Sequence, residues 1–284
     1  MILIADSGST KTSWCLVDSG KKIVEFSTEG YNPCYVGEDY ITRSLRGALP
    51  PCFSWDEVRE VHFYGAGCYE EEFLIIRRGL QPVFPKARLF VAMDLLGSAR
   101  ALLGNKPGFA AILGTGTNSC LYDGVNVTHN IDSLGFLLGD EGSGGYIGKC
   151  IIRDYIREDM PVKIRRFFQN QYQLSGEELV HRIYMDKMPN RYCANFTRFL
   201  TMQCKENEYA VKLVAEAFRD FFKNIVCKYP GYESLTFNFI GSIGWVFQDI
   251  LCEIVKEYNM KLGRIIREPM EGLVEYHSNN PNSI

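Results

Sequence analysis

The N-terminal segment Met1–Trp14, MILIADSGSTKTSW, is the feature that most limits what this chain can fold into. Four apolar residues lead into the polar turn Asp6–Thr12, and a second apolar run begins at Trp14. Two apolar runs around a short polar turn are typical of a strand, a tight turn and a second strand. The carboxylate, glycine and hydroxyls of the turn suit phosphate oxygens and a hydrated metal ion, although an ordinary hairpin also favours Gly and Asp.

The same pattern recurs in the middle of the chain. The apolar run Phe109–Leu113 leads into the turn Gly114–Asn118, and Ser119–Tyr122 follows as a second run. Repetition of one supersecondary unit indicates structurally related halves. We therefore predict two α/β domains that face each other, an N-terminal domain over residues 1–106 and a C-terminal domain over residues 107–284.

Hydrophobic periodicity predicts alternating strands and helices in the first half of the chain and helices in much of the second. The expected strands are 2–6, 12–18, 22–28, 60–64, 88–92, 109–113, 118–123, 235–240 and 262–267. The expected helices are 38–48, 70–80, 95–103 and about 243–258, together with a helical insertion at about 143–228. The polar tail His277–Ile284 is expected to fray.

Composition narrows the functional class. The net charge of −3 and the scattered Lys and Arg residues argue against a nucleic-acid partner or a charged membrane surface. No apolar run reaches the roughly 20 residues that span a bilayer. Asp6 and Lys11 interrupt the N-terminal apolar stretch, so no signal peptide is expected. The ten cysteines form no CxxC pair, which favours free thiols in a reducing cytoplasm over a zinc or iron–sulfur site.

Two familiar nucleotide-binding motifs are excluded by their surroundings. The sequence GSTKT at Gly8–Thr12 resembles the end of a Walker P-loop, but the upstream glycine is missing and a strand follows instead of a helix. The turn Gly114–Asn118 contains GxG without the third glycine of a dinucleotide fingerprint, and a strand follows it as well. A pair of β-turn-β phosphate clamps is the interpretation that we carry forward.

Other candidate residues follow predicted strands, where ligand-binding residues of α/β proteins collect. Asp94 follows strand 88–92 and is suited to accept a proton from a substrate hydroxyl, or else to cap the next helix. The turns Gly65–Gly67 and Gly241–Ser242 bring backbone close to a ligand, or are plain βα turns. Asn32 follows the third strand, where an ordinary turn residue is the alternative.

The segment Gly139–Gly145, GDEGSGG, precedes the long helical region. Its backbone N–H groups are expected to face an anion, as at other helix N-termini. Asp140 and Glu141 add two carboxylates to this segment, although a glycine-rich linker explains the same composition.

Taken in order, these pieces resemble the acetate-kinase/Hsp70/actin/sugar-kinase superfamily. Within it they resemble the BadF/BadG/BcrA/BcrD ATPase group and, more closely, N-acetylglucosamine kinases. The resemblance spans Ile2 to about Ile243 and rests on five motifs at matching separations. It implies a two-domain actin-like ATPase fold (ribonuclease H-like) with a nucleotide cleft between the domains. It also implies ATP and Mg²⁺ as cofactors, a small sugar as substrate, a cytoplasmic location and, as in many relatives, a homodimer.

The site residues follow from the same resemblance. The first turn matches the phosphate-1 loop, the second matches the phosphate-2 loop, and the Gly-Ser turn matches the adenosine motif. The implied nucleotide contacts are Asp6, Gly8, Ser9, Thr10, Lys11, Thr12, Gly114, Thr115, Gly116, Gly241 and Ser242. The implied sugar contacts are Asn32, Gly65, Ala66, Gly67, Asp94, Thr117, Asn118, Gly135, Asp140 and Glu141. The resemblance assigns catalysis to Asp94 and Mg²⁺ binding to Asp6 and Asp140.

The implied reaction is phosphoryl transfer from ATP to an amino sugar, most directly N-acetylglucosamine to its 6-phosphate. Animal N-acetylglucosamine kinases carry Trp-Gly where this chain has Leu134-Gly135, so a kinase of glucosamine or a muramic acid derivative is an alternative. An ATPase that activates a partner enzyme and a non-catalytic sugar sensor are further alternatives. The chain ends soon after Pro269, so the helix that closes on the first domain in many relatives is expected to be short or missing.

Overall fold

The computed structural model describes residues 1–8, 10–33, 36–51, 53–67, 70–203 and 207–280, so the predicted nucleotide contact Ser9 lies outside the described residues. The strands are β1 (Ile2–Ser7), β2 (Lys11–Asp18), β3 (Lys21–Glu29), β4 (Glu60–Gly65), β5 (Arg88–Met93), β6 (Gly108–Leu113), β7 (Thr117–Tyr122), β8 (Val127–His129), β9 (Thr236–Ile240) and β10 (Lys261–Ile266). The α-helices are α1 (Glu38–Ala48), α2 (Glu70–Leu80), α3 (Asp94–Leu103), α4 (Gly135–Leu138), α5 (Gly144–Ile156), α6 (Val162–Tyr172), α7 (Gly176–Met185), α8 (Pro189–Asn195), α9 (Thr197–Gln203), α10 (Glu208–Asn224), α11 (Ser242–Val246), α12 (Gln248–Glu257) and α13 (Met270–Asn279). None of the helices in these described ranges is long and apolar enough to cross a membrane.

The chain forms two compact units, and neither is continuous in sequence. The first unit contains Met1–Gly108, Tyr122–Thr128 and the C-terminal segment from Glu268 onward. The second unit contains Phe109–Leu121 and His129–Arg267. The predicted domain boundary lies next to the first switch between the units, but the C-terminal segment belongs to the first unit instead of continuing the second.

The described residues form two five-stranded sheets that share one strand order. The first sheet has the order β3-β2-β1-β4-β5, and the second has the order β8-β7-β6-β9-β10. Strands β1, β4 and β5 are parallel, as are β6, β9 and β10, whereas β2 pairs antiparallel with β1 and β3. The repetition predicted from the two turns is therefore present in the topology, and the α/β class is confirmed.

Alternation along the strands gives the first sheet two buried faces. Leu3 and Ala5 of β1 belong to a core with Ile41 of α1 and the apolar side of α2. Tyr64 of β4 points to the other face, where α3 comes so close that a Cβ on Gly97 would lie 2.7 Å from the tyrosine ring. Helix α13 packs on α3 at this face. Because helices cover both faces, the strand ends are the part of the sheet left to bind a ligand.

The core of the second unit is rich in aromatic rings. Strand β9 contributes Phe237 and Phe239, and α10 contributes Phe218, Phe221 and Phe222, all of them buried. Phe222 stacks on Phe237 with ring centroids 5.0 Å apart. The period of two on the strand and the three- and four-residue spacing on the helix bring these rings together. The helical insertion predicted for residues 143–228 is present as α5 to α10.

Three of the strands and α-helices given above for the described residues are not predicted by the sequence patterns. Strand β8 and helix α4 are only three and four residues long, too short to show a periodicity. Helix α13 contradicts the fraying predicted for His277–Ile284 as far as residue 279, whereas residues 281–284 lie outside the described residues. The closing helix, expected to be short or missing, is present with ten residues, and its apolar side is buried. The helix predicted for 243–258 is divided into α11 and α12 at Phe247.

Helices α5 and α8 approach so closely at Gly148 that no side chain fits there. A Cβ on Gly148 would overlap the Cys193 carbonyl group. We expect Gly148→Ala to lower the free energy of unfolding by about 1–3 kcal/mol, because the two backbones must move apart. The control is Gly47→Ala in α1, where a Cβ would meet no described atom within 4 Å and alanine raises helix stability by about 0.5–1 kcal/mol. Urea denaturation compares the two variants, and an equal response would contradict the close packing at Gly148.

Candidate functional site

Three predicted site segments of the first unit meet at one edge of its sheet. Because β1, β4 and β5 are parallel and in register, Ser7 lies beside Gly65, and Gly65 lies beside Met93. The turn after β1, the glycine turn after β4 and Asp94 at the start of α3 are therefore neighbours. A hydrogen bond of 2.9 Å from Ala66 N–H to the Ser7 carbonyl joins the first two turns. The carboxyl edge of parallel strands is where α/β proteins bind ligands.

The turn Asp6–Thr12, which is the predicted phosphate-1 loop, is supported by two buried hydroxyl groups. The Ser7 and Thr12 hydroxyls lie 2.8 Å apart, and Thr12 also donates to the Glu29 carbonyl at 3.0 Å. Tyr31 N–H donates to the Ser7 hydroxyl at 3.1 Å. Both hydroxyls are buried. Thr12, predicted as a phosphate contact, therefore has its hydroxyl engaged in holding the turn against β3.

The solvent side of the same turn is open. Thr10 and Lys11 are exposed. Gly8 N–H donates to the Lys11 carbonyl at 3.0 Å, which closes a tight turn. Among the described residues, a Cβ on Gly8 would meet only that carbonyl oxygen, at 3.8 Å, so the glycine leaves space there beside the backbone. The exposed hydroxyl, ammonium and backbone groups of this side are the ones that can reach a phosphate.

Two carboxylates of the first unit, Asp6 and Asp94, have raised pKa values. Burial, followed by the charges of Asp94 and Glu268, raises the pKa of Asp6 to about 7, against the opposing charge of Lys11. Burial raises the pKa of Asp94 to about 6, against a hydrogen bond from Leu95 N–H. A carboxylate whose pKa lies near neutrality is suited to act as a general base, because it exchanges a proton readily at that pH.

Asp6 also fits a magnesium ion that is held mainly by water and phosphate. The part of the chain that the structure describes contains no group of three or more His, Cys, Asp or Glu placed to hold a metal ion. Mg²⁺ needs no such cage, because it keeps several waters and takes one or two carboxylates plus substrate phosphates. The neighbouring charges of Asp94 and Glu268 disfavour the ionised form of Asp6. A nearby cation would relieve this repulsion.

Asn32 and Gly67, predicted as sugar contacts from separate turns, lie against each other. A Cβ on Gly67 would be 2.8 Å from Asn32 Nδ2 and 2.9 Å from its Oδ1. The φ angle of Gly67 is +69°, which glycine adopts without strain. The glycine therefore makes room for the Asn32 amide at the edge where Asp94 also lies.

In the second unit, two other predicted loops lie side by side. Strands β6 and β9 are parallel neighbours, so the turn that begins at Gly114 and the turn at Gly241 leave the sheet at the same edge. Gly241 has a φ of +126°, and a Cβ there would overlap the Leu113 carbonyl. Only glycine fits this approach of two backbones. The following residue, Ser242, is exposed at the start of α11.

The glycine-rich segment Gly139–Gly145 was predicted to point backbone N–H groups at an anion. This prediction is wrong for the first N–H groups of α5, because they form hydrogen bonds within the protein. Gly144 N–H donates to the Gly114 carbonyl at 2.8 Å, and Gly145 N–H donates to the Thr115 carbonyl at 2.9 Å. The next helical amide donates to the Ser143 hydroxyl. Two carbonyls of the turn Gly114–Asn118, which is the predicted phosphate-2 loop, therefore accept the hydrogen bonds of the first two amides of α5.

Asp140 is buried beside the phosphate-2 turn. Its Oδ1 accepts a hydrogen bond of 3.1 Å from Thr117 N–H. Burial raises the pKa of the Asp140 carboxyl, whereas Thr117 N–H, the Ser133 hydroxyl and the Lys149 charge lower it. The Thr117 hydroxyl is buried and has no hydrogen-bond partner among the described residues.

Two of the remaining predicted residues of the second unit, Asn118 and Glu141, already accept hydrogen bonds from other groups of the protein. Asn118 Oδ1 accepts two hydrogen bonds from neighbouring groups. Glu141 Oε1 accepts one from the Asn224 amide at 3.1 Å. Gly135 is exposed at the start of α4 with a φ of +65°. The structure thus gathers the predicted residues into two groups, one in each unit.

The sequence prediction missed two residues of the first-unit group, Ser7 and Glu268. Side-chain alternation places Ser7 on the same side of β1 as the apolar residues Leu3 and Ala5. This spacing is a sequence signal from which a buried Ser7 hydroxyl can be predicted. Glu268 gives no such signal. Its charge acts on Asp6 only because the C-terminal segment returns to the first unit.

No protein-family model and no curated protein matches this sequence. A solved structure from Porphyromonas gingivalis, provisionally assigned as an N-acetylglucosamine kinase, is 38% identical to this chain. The match covers 99% of this chain and 100% of that chain, with a TM-score of 0.94. The chain belongs to this N-acetylglucosamine-kinase-like family.

Two more distant structures share the fold of the N-acetylglucosamine-kinase-like family. A provisionally assigned N-acetylglucosamine kinase from Chromobacterium violaceum is 16% identical over 97% of this chain and 98% of that chain, with a TM-score of 0.75. A ROK family glucokinase from Streptomyces griseus, solved with glucose and AMPPNP, is 14% identical over 97% of each chain, with a TM-score of 0.64. The predicted two-domain actin-like fold is thereby confirmed. The narrower resemblance to the BadF/BadG/BcrA/BcrD group stays a prediction.

Proposed function

We propose that this chain is a kinase that transfers the γ-phosphoryl group of ATP to an amino sugar, most directly to the 6-hydroxyl of N-acetylglucosamine. The observation that carries the proposal is Asp94, a carboxylate of raised pKa at the same sheet edge as Asp6 and the Asn32–Gly67 pair. The family relationship supports this activity, because the Porphyromonas gingivalis protein is itself provisionally assigned as an N-acetylglucosamine kinase.

In the proposed reaction, the first unit binds the sugar and activates its hydroxyl. Asn32 and the backbone of Gly65–Gly67 hydrogen-bond sugar hydroxyls, and Asp94 accepts the proton of the attacking hydroxyl. Magnesium, held through water by Asp6, supplies positive charge against the β- and γ-phosphates when it is bound. Phosphoryl transfer needs little covalent assistance, so positioning and electrostatic stabilisation account for most of the rate enhancement.

The second unit, in the same proposal, binds the nucleotide. The backbone of Gly114–Gly116 and the Gly241–Ser242 turn supply donors without bulky side chains. The buried Thr117 hydroxyl, unpartnered among the described residues, is our candidate for a further donor to the bound ligand. Asp140, predicted for the sugar and for Mg²⁺, already has one carboxylate oxygen bound to the Thr117 amide.

A kinase of a different amino sugar is the second candidate, and Leu134 favours it. Leu134 is 59% exposed and has a left-handed backbone, with a φ of +59°, directly before Gly135. An aliphatic side chain cannot stack on a sugar ring as the Trp at this position in animal relatives can. Glucosamine and muramic acid derivatives are therefore included among the test substrates.

The test is a coupled ADP-release assay of the purified chain with Mg²⁺ and ATP. The sugars are N-acetylglucosamine, glucosamine, N-acetylmuramic acid and glucose. We expect ADP release that depends on an amino sugar, with the phosphorylated position assigned by NMR. Sugar-independent ATP hydrolysis would favour a partner-activating ATPase instead. Sugar binding without ADP release with any sugar would favour a sensor, and either result would overturn the kinase proposal.

Gly67→Ala is expected to weaken sugar binding by displacing Asn32. The added Cβ would lie 2.8 Å from Asn32 Nδ2, so the amide must turn away. We expect the KM for the sugar to rise about tenfold, the effect of about one lost hydrogen bond, while the KM for ATP changes little. The matched control is Gly104→Ala, because Gly104 has a similar φ of +61°, while in the described part of the chain nothing lies within 4 Å of a Cβ there. Equal KM values for the sugar in the two variants would argue against Asn32 as a sugar contact.

A further inference from the structure

The Ser7 side chain places a hydroxyl on a side of β1 that is otherwise apolar. Leu3 and Ala5 point to the same side, and all three residues are buried. A buried hydroxyl is unfavourable unless it finds hydrogen-bond partners. The partners of Ser7 therefore indicate what its hydroxyl does in the protein.

The directions of the hydrogen bonds around Ser7 follow from counting protons. Thr12 Oγ1 lies 2.8 Å from Ser7 Oγ and donates to the Glu29 carbonyl oxygen at 3.0 Å. A hydroxyl has one proton, so Thr12 has none left for Ser7, and Ser7 donates to Thr12. Ser7 Oγ then accepts from Tyr31 N–H at 3.1 Å. The result is one continuous chain of three hydrogen bonds, which begins at the Tyr31 amide and ends at the Glu29 carbonyl.

This chain fixes the backbone directly before Asn32. Tyr31 is fully buried, so its N–H needs an acceptor within the protein, and Ser7 Oγ supplies one. The residue before it is held separately, because Gly30 N–H donates to the Thr10 carbonyl at 3.1 Å. Loss of the Ser7 hydroxyl would therefore leave the end of β3 attached but release the last backbone anchor before Asn32.

The neighbouring turns are held by backbone bonds that do not involve the Ser7 side chain. The Ser7 carbonyl accepts from Ala66 N–H at 2.9 Å, which fixes the turn that contains Gly67. In the phosphate-1 loop, Gly8 N–H donates to the Lys11 carbonyl at 3.0 Å. Both bonds would remain if the hydroxyl were removed. The hydroxyl is thus specific to the turn that carries Asn32.

We propose that Ser7 is a positioning residue for Asn32, whose amide it presets for the sugar by holding the Tyr31 backbone. The inference rests on the proposed kinase function, in which Asn32 hydrogen-bonds a hydroxyl of the amino sugar. Hydrogen bonds weaken steeply when their distance or angle changes, so a small displacement of this amide costs sugar affinity. An amide that is already in place also loses less conformational freedom when the sugar binds.

The test is a double-mutant cycle of Ser7→Ala and Asn32→Ala in the full chain. If Ser7 acts through Asn32, its loss adds little once the Asn32 amide has been removed. The matched control is Ser44→Ala, because the Ser44 hydroxyl accepts from the Tyr31 hydroxyl at 2.9 Å. This control removes a hydrogen bond from the Tyr31 side chain and leaves its amide bonded. The readouts are hydrogen exchange at the Tyr31 amide without ligands, and kcat/KM for the sugar and KM for ATP in the ADP-release assay.

We expect Ser7→Ala to lose protection at the Tyr31 amide and to lower kcat/KM for the sugar about tenfold, the effect of about one lost hydrogen bond. The loss should lie in the KM for the sugar, with the KM for ATP within about twofold of wild type. In the Asn32→Ala background, Ser7→Ala should change kcat/KM for the sugar by less than about twofold. Ser44→Ala should retain Tyr31 amide protection and sugar kinetics within about twofold of wild type.

Unchanged Tyr31 protection in Ser7→Ala would overturn the inference. So would an equal loss of kcat/KM in the Asn32→Ala background, because Ser7 would then act by another route, or a Ser44→Ala variant as impaired as Ser7→Ala. If Ser7→Ala does not fold, Ser7→Cys replaces it in the same cycle, since a thiol has a similar shape and is a weaker acceptor. The same pattern with a smaller loss is then expected.

Failure of the proposed function gives a different result. A wild-type chain that releases no ADP with any sugar would overturn the kinase activity, whatever the Ser7 variants do. The exchange measurement needs neither substrate, so it still decides whether the Ser7 hydroxyl holds the Tyr31 amide.

Discussion

Asp94→Asn is expected to abolish sugar phosphorylation while both units stay folded. Asparagine has the shape of aspartate but cannot take the proton of the sugar hydroxyl, so the variant loses general-base assistance worth about 10²–10⁴-fold. Because burial raises the pKa of Asp94 to about 6, its ionised form is unfavourable in the folded state at neutral pH. The variant should therefore be slightly more stable than wild type, by on the order of 1 kcal/mol.

The measurements are single-turnover phosphorylation and thermal denaturation of the same samples. Asp18→Asn is the control, because Asp18 is an exposed carboxylate at the end of β2 in the same unit. The pH profile of kcat/KM gives a second check: activity should fall as the pH drops through about 6, because Asp94 becomes protonated. Near-normal turnover in Asp94→Asn would show that another group accepts the proton.

Mild acid is expected to detach helix α13 from the first unit, because a buried histidine pair holds it there. His277 of α13 lies with its ring centroid 4.1 Å from that of His62, and its Nε2 is 3.0 Å from the Tyr64 hydroxyl. Arg100 donates to the same hydroxyl, and Glu60 contacts the far side of His62. Burial, then the charges of His62 and Arg100, lower the pKa of His277 to about 2. Burial also lowers the pKa of His62, against the opposing effect of Glu60.

The sign of the effect follows from proton binding. Below its unfolded pKa of about 6.5, His277 takes up a proton in the unfolded chain but stays neutral in the folded one. The free energy of unfolding should therefore fall by up to about 1.4 kcal/mol for each pH unit below that value, for this histidine alone. Several kcal/mol would be lost by about pH 4, which is a large part of the stability of a typical domain.

Hydrogen exchange of residues 270–279, measured between pH 7 and pH 4, checks this expectation after correction for the intrinsic exchange rates. His277→Gln should remove much of the pH dependence, since its amide can still donate to the Tyr64 hydroxyl but does not titrate in this range. His181→Gln is the control, because His181 is an exposed histidine outside this buried pair. An identical pH dependence in wild type and His277→Gln would contradict a role for this histidine.

The sequence pattern predicted much of the fold because strands and turns are local features. The two β-turn-β units, the strands up to β7 and the long helices all follow from periodicities of two and of three to four residues. The same alternation contains information that the motif interpretation overlooked. Thr12 lies on the side of β2 that carries the buried Trp14, and its hydroxyl accordingly supports the turn from inside the protein.

The prediction was less complete where a residue's partner is distant in sequence. Helix α13 has too weak a pattern to reveal that it packs beside α3. The segment Gly139–Gly145 has the composition of an anion-binding helix start, yet its first amides bond to the carbonyls of Gly114 and Thr115. Composition cannot show that a group is already occupied, because this depends on which backbone lies next to it.

The sequence alone therefore determined the repeated β-turn-β units, the α/β class and the identity of the candidate phosphate loops. Only the tertiary structure decided how the individual groups are used. It placed Asn32 against Gly67, the Asp140 carboxylate on the Thr117 amide and His277 against Tyr64. The physical reason is that strands, helices and turns arise from nearby residues, whereas burial, hydrogen-bond partners and pKa values arise from contacts between segments that only folding brings together.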